Sequence, residues 1–247
     1  MAIPAALIDA ITGLRDRADI QLGAYAGPAY TPPSDVRLRQ PNGTDLLFES
    51  VPWRGEPFKR PPYYGYRGTY WPGAKSFGLM LDFTHIKAKA IKSQIVGVKG
   101  VRDGTAISGT EALSKTFRKL EFTHGYNLLT LNAVYRRASP GNRFSPYLGV
   151  GAGISIPHVE MLRAGWPKKT RTNEYQIAGP AFQLLAGVQW RLSAHISLFV
   201  EYKLSCTINT GRLTDGGTLA ANLCSHQLLT GPAVHLSGAA MASRRKM

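Results

Sequence analysis

Histidine and carboxylate side chains gather near the ends of several alternating segments of this chain. His85, His158 and His226 each lie at or just beyond the end of such a segment, and Glu160 follows His158 by two residues. Imidazole and carboxylate groups are ligands of hard and borderline divalent metal ions. We therefore predict a divalent metal ion held by His158, Glu160 and His226. A histidine at a strand end can equally be structural, and that alternative stays open.

Period-two alternation of apolar residues marks the elements that must position these side chains. Helical periodicity is convincing only around residues 5–14, whereas eight segments alternate as strands do: 19–27, 63–71, 77–85, 128–137, 147–156, 182–192, 196–205 and 227–236. The connections between these segments alternate strictly between short and long, which is typical of an outer-membrane barrel. We predict an all-β fold, an eight-stranded antiparallel up-and-down transmembrane β-barrel.

The barrel is predicted to occupy residues 19–236 and to carry four long loops. A segment with a short helix (1–18) precedes it, and a basic tail (237–247) follows it. Because apolar alternation also fits a soluble barrel with its apolar residues inside, the two faces must be compared. The non-apolar faces carry many glycines and charges of both signs, which favours a membrane barrel with a filled lumen. The predicted lumen charges are Arg67, Asp82, Arg136, Arg191, Glu201 and Lys203.

Composition and charge limit the function further. The chain has 247 residues, 30 Lys and Arg against 15 Asp and Glu, and 44% hydrophobic residues, which excludes a disordered polycation. No apolar run is long enough for a membrane-spanning helix. The long connections hold 17 basic and 9 acidic residues, so a net charge of +8 lies at one end of the predicted barrel. Such a rim suits anionic outer-leaflet lipid.

Five cations are predicted to bind lipid anions: Lys87, Lys89, Lys168, Lys169 and Arg171. The sequence contains no nucleic-acid-binding motif, so we expect no nucleic-acid partner, and we expect a monomer. Cys206 and Cys224 flank the last long connection and can pair across its base, with two free thiols as the alternative. The expected location is the cell outer membrane, although residues 1–18 show no visible signal peptide.

Several segments of the chain resemble a known family. They are TDLLFESVPWRGEPFKRPPYYGYR (44–67), LDFTHIKA (81–88), HGYNLLTLNAVYR (124–136), YLGVGAGISIPHVE (147–160) and FVEYK (199–203). These segments are similar to the small outer-membrane barrels identified as lipid A oxidases in rhizobia and their relatives. YLGVGAG and FVEYK also fit generic OmpA-like barrels, whereas FTH, HGxN and PHVE in this order are more specific.

The resemblance implies an activity, the oxidation of the proximal glucosamine of lipid A to an aminogluconate unit. Dioxygen would be the oxidant, peroxide the by-product, and divalent cations would assist. Oxidation of a hemiacetal carbon requires a base for the hydroxyl proton. On this interpretation the predicted catalytic residues are His85, Glu201 and Lys203, with His85 or Glu201 as the base. The alternative is a non-catalytic OmpA-like barrel, an adhesin or envelope stabiliser.

Overall fold

The computed structural model describes residues 18–60, 62–72, 76–137 and 143–236, and only the backbone of Thr123 and His124. The predicted N-terminal segment, apart from Ala18, and the predicted C-terminal tail lie outside these residues. In chain order the strands are β1 (Asp19–Tyr25), β2 (Ala29–Tyr30), β3 (Ser34–Gln40), β4 (Thr44–Val51), β5 (Trp53–Arg54), β6 (Tyr64–Trp71), β7 (Phe77–Ala90), β8 (Ile95–Arg102), β9 (Thr105–Ala112), β10 (Phe117–Arg136), β11 (Phe144–Arg163), β12 (Thr172–Tyr175), β13 (Gly179–Arg191), β14 (Ile196–Arg212) and β15 (Thr218–His235).

Eight of these strands close an antiparallel barrel. Their order is β1-β6-β7-β10-β11-β13-β14-β15, and β15 returns to pair with β1. Each of them overlaps one of the eight segments predicted from alternation, so the predicted up-and-down barrel is confirmed. Two 3-10 turns, Leu113–Lys115 and Lys168–Thr170, interrupt the strands. No helix in the described ranges has the length and apolar character needed to cross a membrane.

The apolar residues of the barrel strands point outward. On β14, Leu198, Val200 and Tyr202 are 39–55% exposed, whereas the alternate residues Glu201 and Lys203 are buried. The barrel therefore carries an apolar outer belt and a polar lumen. A soluble barrel, which the sequence left open as an alternative, needs the reverse arrangement.

Aromatic side chains border the belt on both sides. At the end with the short turns, Phe144 stacks on Trp190 with ring centroids 5.8 Å apart, and Phe77 lies 5.0 Å from Tyr135. The other border includes Tyr66 and Phe83, which face each other across β6 and β7. On β13 the belt runs from residue 182 to residue 190, about 20 Å in height at the usual strand rise and tilt.

The long connections form an ordered cap with its own hydrophobic core. Here we call the end of the barrel with the long connections the upper end. At that end the sheet continues from residues 218–221 of β15 through β3, β4, β8 and β9, in that order. Val36, Leu38, Phe48 and Phe117 are fully buried inside this cap, and the rings of Phe48 and Phe117 lie 5.0 Å apart. Within the described residues, three of the four predicted long loops contain seven further strands, and the fourth extends β14 and β15. The apolar core of the cap covers the lumen at this end.

One disulfide bond links β14 and β15. Cys206 lies directly opposite Cys224 in the ladder, with the Cα atoms 4.0 Å apart, and their sulfur atoms are bonded. The predicted pairing is confirmed, and the alternative of two free thiols is excluded.

Candidate functional site

Three segments that carried the family resemblance meet on one outer wall. His85 on β7 faces Asn127 on β10, and Glu121 on β10 faces both Lys89 on β7 and Glu160 on β11. The sequence neighbours of these residues, such as Ala88, Leu120 and Val159, lie in the inner core. Because side chains alternate along a strand, Lys89, Glu121 and Glu160 lie on the opposite, outer face. We call this region the outer-wall site, defined by His85, Asn127, His158, Lys89, Lys119, Glu121, Glu160 and Arg171.

His85 is held in a fixed orientation at the lower edge of the outer-wall site. Its Nδ1 lies 2.8 Å from Oδ1 of Asn127, and its ring stacks on Tyr64 at 4.6 Å with a 12° angle between the planes. An amide oxygen only accepts hydrogen bonds, so a proton on Nδ1 would be donated to Asn127 and would leave the basic lone pair on Nε2. A neutral imidazole whose lone pair faces a substrate hydroxyl can act as a general base.

Two carboxylates and three cations form the upper part of the outer-wall site. Nζ of Lys119 lies 2.5 Å from Glu121 and 3.3 Å from Glu160. Lys89 lies 3.4 Å from Glu121, and Arg171 donates a hydrogen bond to Glu160. Burial is the largest single influence and acts to raise the pKa of Glu121, but the hydrogen bonds and charges of Lys119 and Lys89 together outweigh it and the pKa is lowered. The hydrogen bond to Glu121 raises the pKa of Lys119, so both groups are ionised at neutral pH.

The predicted lipid-binding cations have different environments. Lys89 and Arg171 belong to the outer-wall site. Lys87 is buried, its ammonium donates to the carbonyl of Lys59 at 2.7 Å, and burial lowers its pKa. Lys168 and Lys169 are exposed on a 3-10 turn. Only two of the five predicted cations therefore lie beside the carboxylates.

The predicted metal ligands are not brought together. His158 lies on β11 beside Tyr175, with ring centroids 4.8 Å apart, and Glu160 is paired with cations on the same wall. His226 lies on β15, with β13 and β14 between it and β11, and its Nδ1 is 2.7 Å from the Tyr202 hydroxyl. Among the side chains that the structure describes, no three His, Cys, Asp or Glu residues form a possible metal site. These residues therefore do not fit the predicted divalent ion.

Glu201 and Lys203, predicted as catalytic, lie in the lumen and not on the outer wall. Glu201 accepts two hydrogen bonds from Arg67, at 2.7 and 2.8 Å, and Lys203 is paired with Asp82. Lys203 also donates to the hydroxyl of Tyr25 at 2.8 Å. The structure thus separates both residues from His85 by the thickness of the barrel wall. It places them in the lumen network that the sequence suggested as the alternative.

A serine, a histidine and an aspartate form a hydrogen-bonded chain at the other end of the lumen. Ser197 Oγ lies 2.9 Å from Nε2 of His235, whose Nδ1 is 3.0 Å from Asp19. A guanidinium nitrogen of Arg191 also lies 2.9 Å from that Nδ1. Ser197 is fully buried and does not line the lumen cavity beside Gln189. This chain of hydrogen bonds links β1, β14 and β15 at this end of the lumen.

Some residues of the outer-wall site were not found by sequence reasoning. Asn127 belongs to the HGxN motif, and Lys119 and Glu121 alternate with apolar residues just before it. Their only signal is period-two alternation over residues 119–122, because Phe117 has the opposite parity. This segment lies in a predicted long loop. In the structure it is continuous with the rest of β10 through a register shift between Glu121 and Tyr126.

Comparison with solved structures finds outer-membrane proteins of similar fold, whereas comparison with protein families finds none that matches. No protein-family model matches this chain, and no curated protein matches it. Among solved structures, Neisserial surface protein A is 13% identical, with a TM-score of 0.43, covering 88% of this chain and 96% of its own. The outer membrane protein OprG of Pseudomonas aeruginosa is 13% identical, also with a TM-score of 0.43, covering 88% and 95%. The Escherichia coli outer membrane protease OmpT is 8% identical, with a TM-score of 0.43, covering 88% and 96%.

Proposed function

We propose that this protein is an outer-membrane β-barrel that acts on lipid A at its outer-wall site. The proposed reaction is the oxidation of the proximal glucosamine to an aminogluconate unit. The exposed apolar belt with its aromatic borders supports the membrane location. The position of the site above the belt supports the substrate, because the sugars of an outer-leaflet glycolipid lie just outside the hydrocarbon layer.

The observation that carries the proposal is the convergence of the FTH, HGxN and PHVE segments on one lipid-facing wall. His85 lies two residues above Phe83 of the belt, which is about 5 Å in height. Asn127 and His158 lie on the adjacent strands, on the same outer face. His85 and His158 are buried on this wall, so a glycolipid held in the leaflet would present its first sugar to them once the side chains that cover them move aside.

The chemistry assigned to this chain is proton transfer. Nε2 of His85 takes the proton of the anomeric hydroxyl while the anomeric carbon loses its hydrogen and two electrons to dioxygen. With that hydrogen and the proton returned by the His85 imidazolium, dioxygen becomes hydrogen peroxide, His85 is neutral again, and the sugar becomes a lactone. Water then opens the lactone to the aminogluconate. Because the described side chains form no metal site, no step of this scheme runs through a metal.

The test is mass spectrometry of lipid A from cells that make the protein, grown with oxygen and compared with cells that lack it. We expect a gain of one oxygen atom on the proximal sugar. His85→Asn should abolish the gain, and His226→Ala, which alters an outward histidine on another wall, should preserve it. A wild-type protein that is folded in the outer membrane and leaves lipid A unchanged would refute the oxidase.

That negative result would favour a second candidate, a non-catalytic envelope barrel. One observation supports it directly, because both carboxylates of the outer-wall site are already neutralised by lysine and arginine. Such a site can hold a lipid headgroup without changing it.

A further inference from the structure

We propose that Lys89, Lys119 and Arg171 form a receptor for the acidic core sugar that a glycolipid carries beyond its lipid A portion. The inference rests on the proposed function in one respect, since it takes an outer-leaflet glycolipid as the ligand. It adds a requirement on the substrate, a carboxylate or phosphate group on the sugar next to lipid A.

The three cations lie further above the apolar belt than His85 does. His85 is two residues above Phe83, whereas Lys89 is six residues above it on the same strand. At the usual strand rise and tilt these positions lie about 5 and 15 Å above the belt. Glu121 and Glu160 are in register with Lys89, so the cations around them share the upper level. A lipid whose first sugar contacts His85 would place its next sugars beside Lys89.

Among the side chains that the structure describes, the intermediate level of these strands offers no exposed lysine or arginine. Lys87 is the residue between His85 and Lys89 that shares their face, and its ammonium is buried against the carbonyl of Lys59. The phosphates of lipid A itself would therefore find no exposed lysine or arginine on the described side chains of β7, β10 and β11 at that level. This favours an acidic group further out as the anion that is bound.

Lys89, Lys119 and Arg171 can bind a further anion although each is already paired with a carboxylate. The carboxylates of Glu121 and Glu160 are almost completely buried, whereas the side chains of Lys89, Lys119 and Arg171 are 41%, 40% and 39% exposed. Three cations against two carboxylates leave a net positive charge. The buried carboxylates hold the cations close together, and each cation has further N–H groups for an incoming anion.

The experiment measures binding by the purified full-length protein in detergent, without turnover, under nitrogen. The ligands are lipid A bearing its acidic core sugars and lipid A from which those sugars have been removed. We expect the wild type to bind the first at least tenfold more tightly. Lys119→Met should lower the affinity for the first lipid at least tenfold and so remove that preference.

Two further variants keep the result interpretable. Lys89→Met changes the same receptor from a different strand and should reproduce the effect if Lys119→Met fails to fold. The double variant Lys168→Met, Lys169→Met removes two exposed lysines from the nearby turn and should keep the preference. Equal affinity of the wild type for both lipids, or an equal loss in the turn variant, would overturn the receptor. Because the assay needs no oxidation, failure of the oxidase proposal would leave its outcome unaffected.

Discussion

The lumen and the outer wall contain ion-pair networks of similar composition but different exposure. In the lumen, the side chains of Arg67, Asp82, Glu201 and Lys203 are at most 5% exposed, and each group is paired within the network. In the outer-wall ion-pair network the carboxylates of Glu121 and Glu160 are buried, while Lys89, Lys119 and Arg171 remain accessible. Because every charged group of the lumen network is buried, that network fills the lumen and has a structural role. Because the cations of the outer wall are about 40% exposed above buried carboxylates, they can bind an anion.

The largest expected effect comes from breaking the lumen network. Lys203→Met leaves Asp82 as a buried charge without its ammonium partner, so we expect a loss of about 3–5 kcal/mol in the free energy of unfolding. Urea titration of the folded protein in detergent, followed by tryptophan fluorescence, measures it. The outer-wall variant Lys119→Met is the matched control and should lose less than about 1 kcal/mol.

The double variant Asp82→Leu, Lys203→Met distinguishes charge imbalance from lost packing. Replacing both partners by apolar groups of similar size should restore most of the stability lost in the single variant. A double variant as unstable as Lys203→Met alone would show that the pair contributes more than mutual neutralisation.

The disulfide bond should have the next largest effect. It joins β15 to β14, the strand that carries Glu201 and Lys203, and it closes a loop with a sequence separation of 18. Reduction should lower the free energy of unfolding by about 2–3 kcal/mol. Urea midpoints with and without dithiothreitol measure the change, and the double variant Cys206→Ser, Cys224→Ser should be insensitive to the reductant.

The smallest expected effect is a dependence of stability on acid from Glu121. Its pKa in the folded protein lies below the ordinary value of 4.5. Its contribution is therefore complete above pH 4.5 and is lost as the pH falls through the lowered pKa. Glu121→Gln should flatten the fall in the urea midpoint between pH 5 and pH 3. Glu174→Gln, which changes an exposed carboxylate, should retain the fall, and equal curves for both variants would contradict the assignment.

The barrel strands could be predicted because membrane and lumen impose opposite requirements on alternate residues. The cap strands carried the same signal, for example Val36 and Leu38 on β3 or Val96 and Val98 on β8. Their alternation was short and lay within long connections rich in charge, so it was interpreted as loop. Only the three-dimensional packing of several such strands shows that they bury a common core.

The candidate site was predicted in part. His85, His158 and Glu160 share one wall because their strands are neighbours, which the up-and-down order already implied. His226 was grouped with them by its height alone, and height does not determine which side of a barrel a residue occupies. Glu201 and Lys203 alternate with the outward residues of β14, so their lumen position followed from parity and excluded them from the outer wall.

The last strand of the chain has a consequence for the order of assembly. β15 pairs with β1 and β14 in the barrel and with β2 and β3 in the cap. The hairpins formed by β3 with β4 and by β8 with β9 are local and can fold early. Their sheet pairing with the barrel needs residues 218–227 of β15, although Phe48 of the cap also packs on Phe117 of β10. Closure of the barrel and docking of the cap are thus completed together, late in folding, by contacts of high sequence separation.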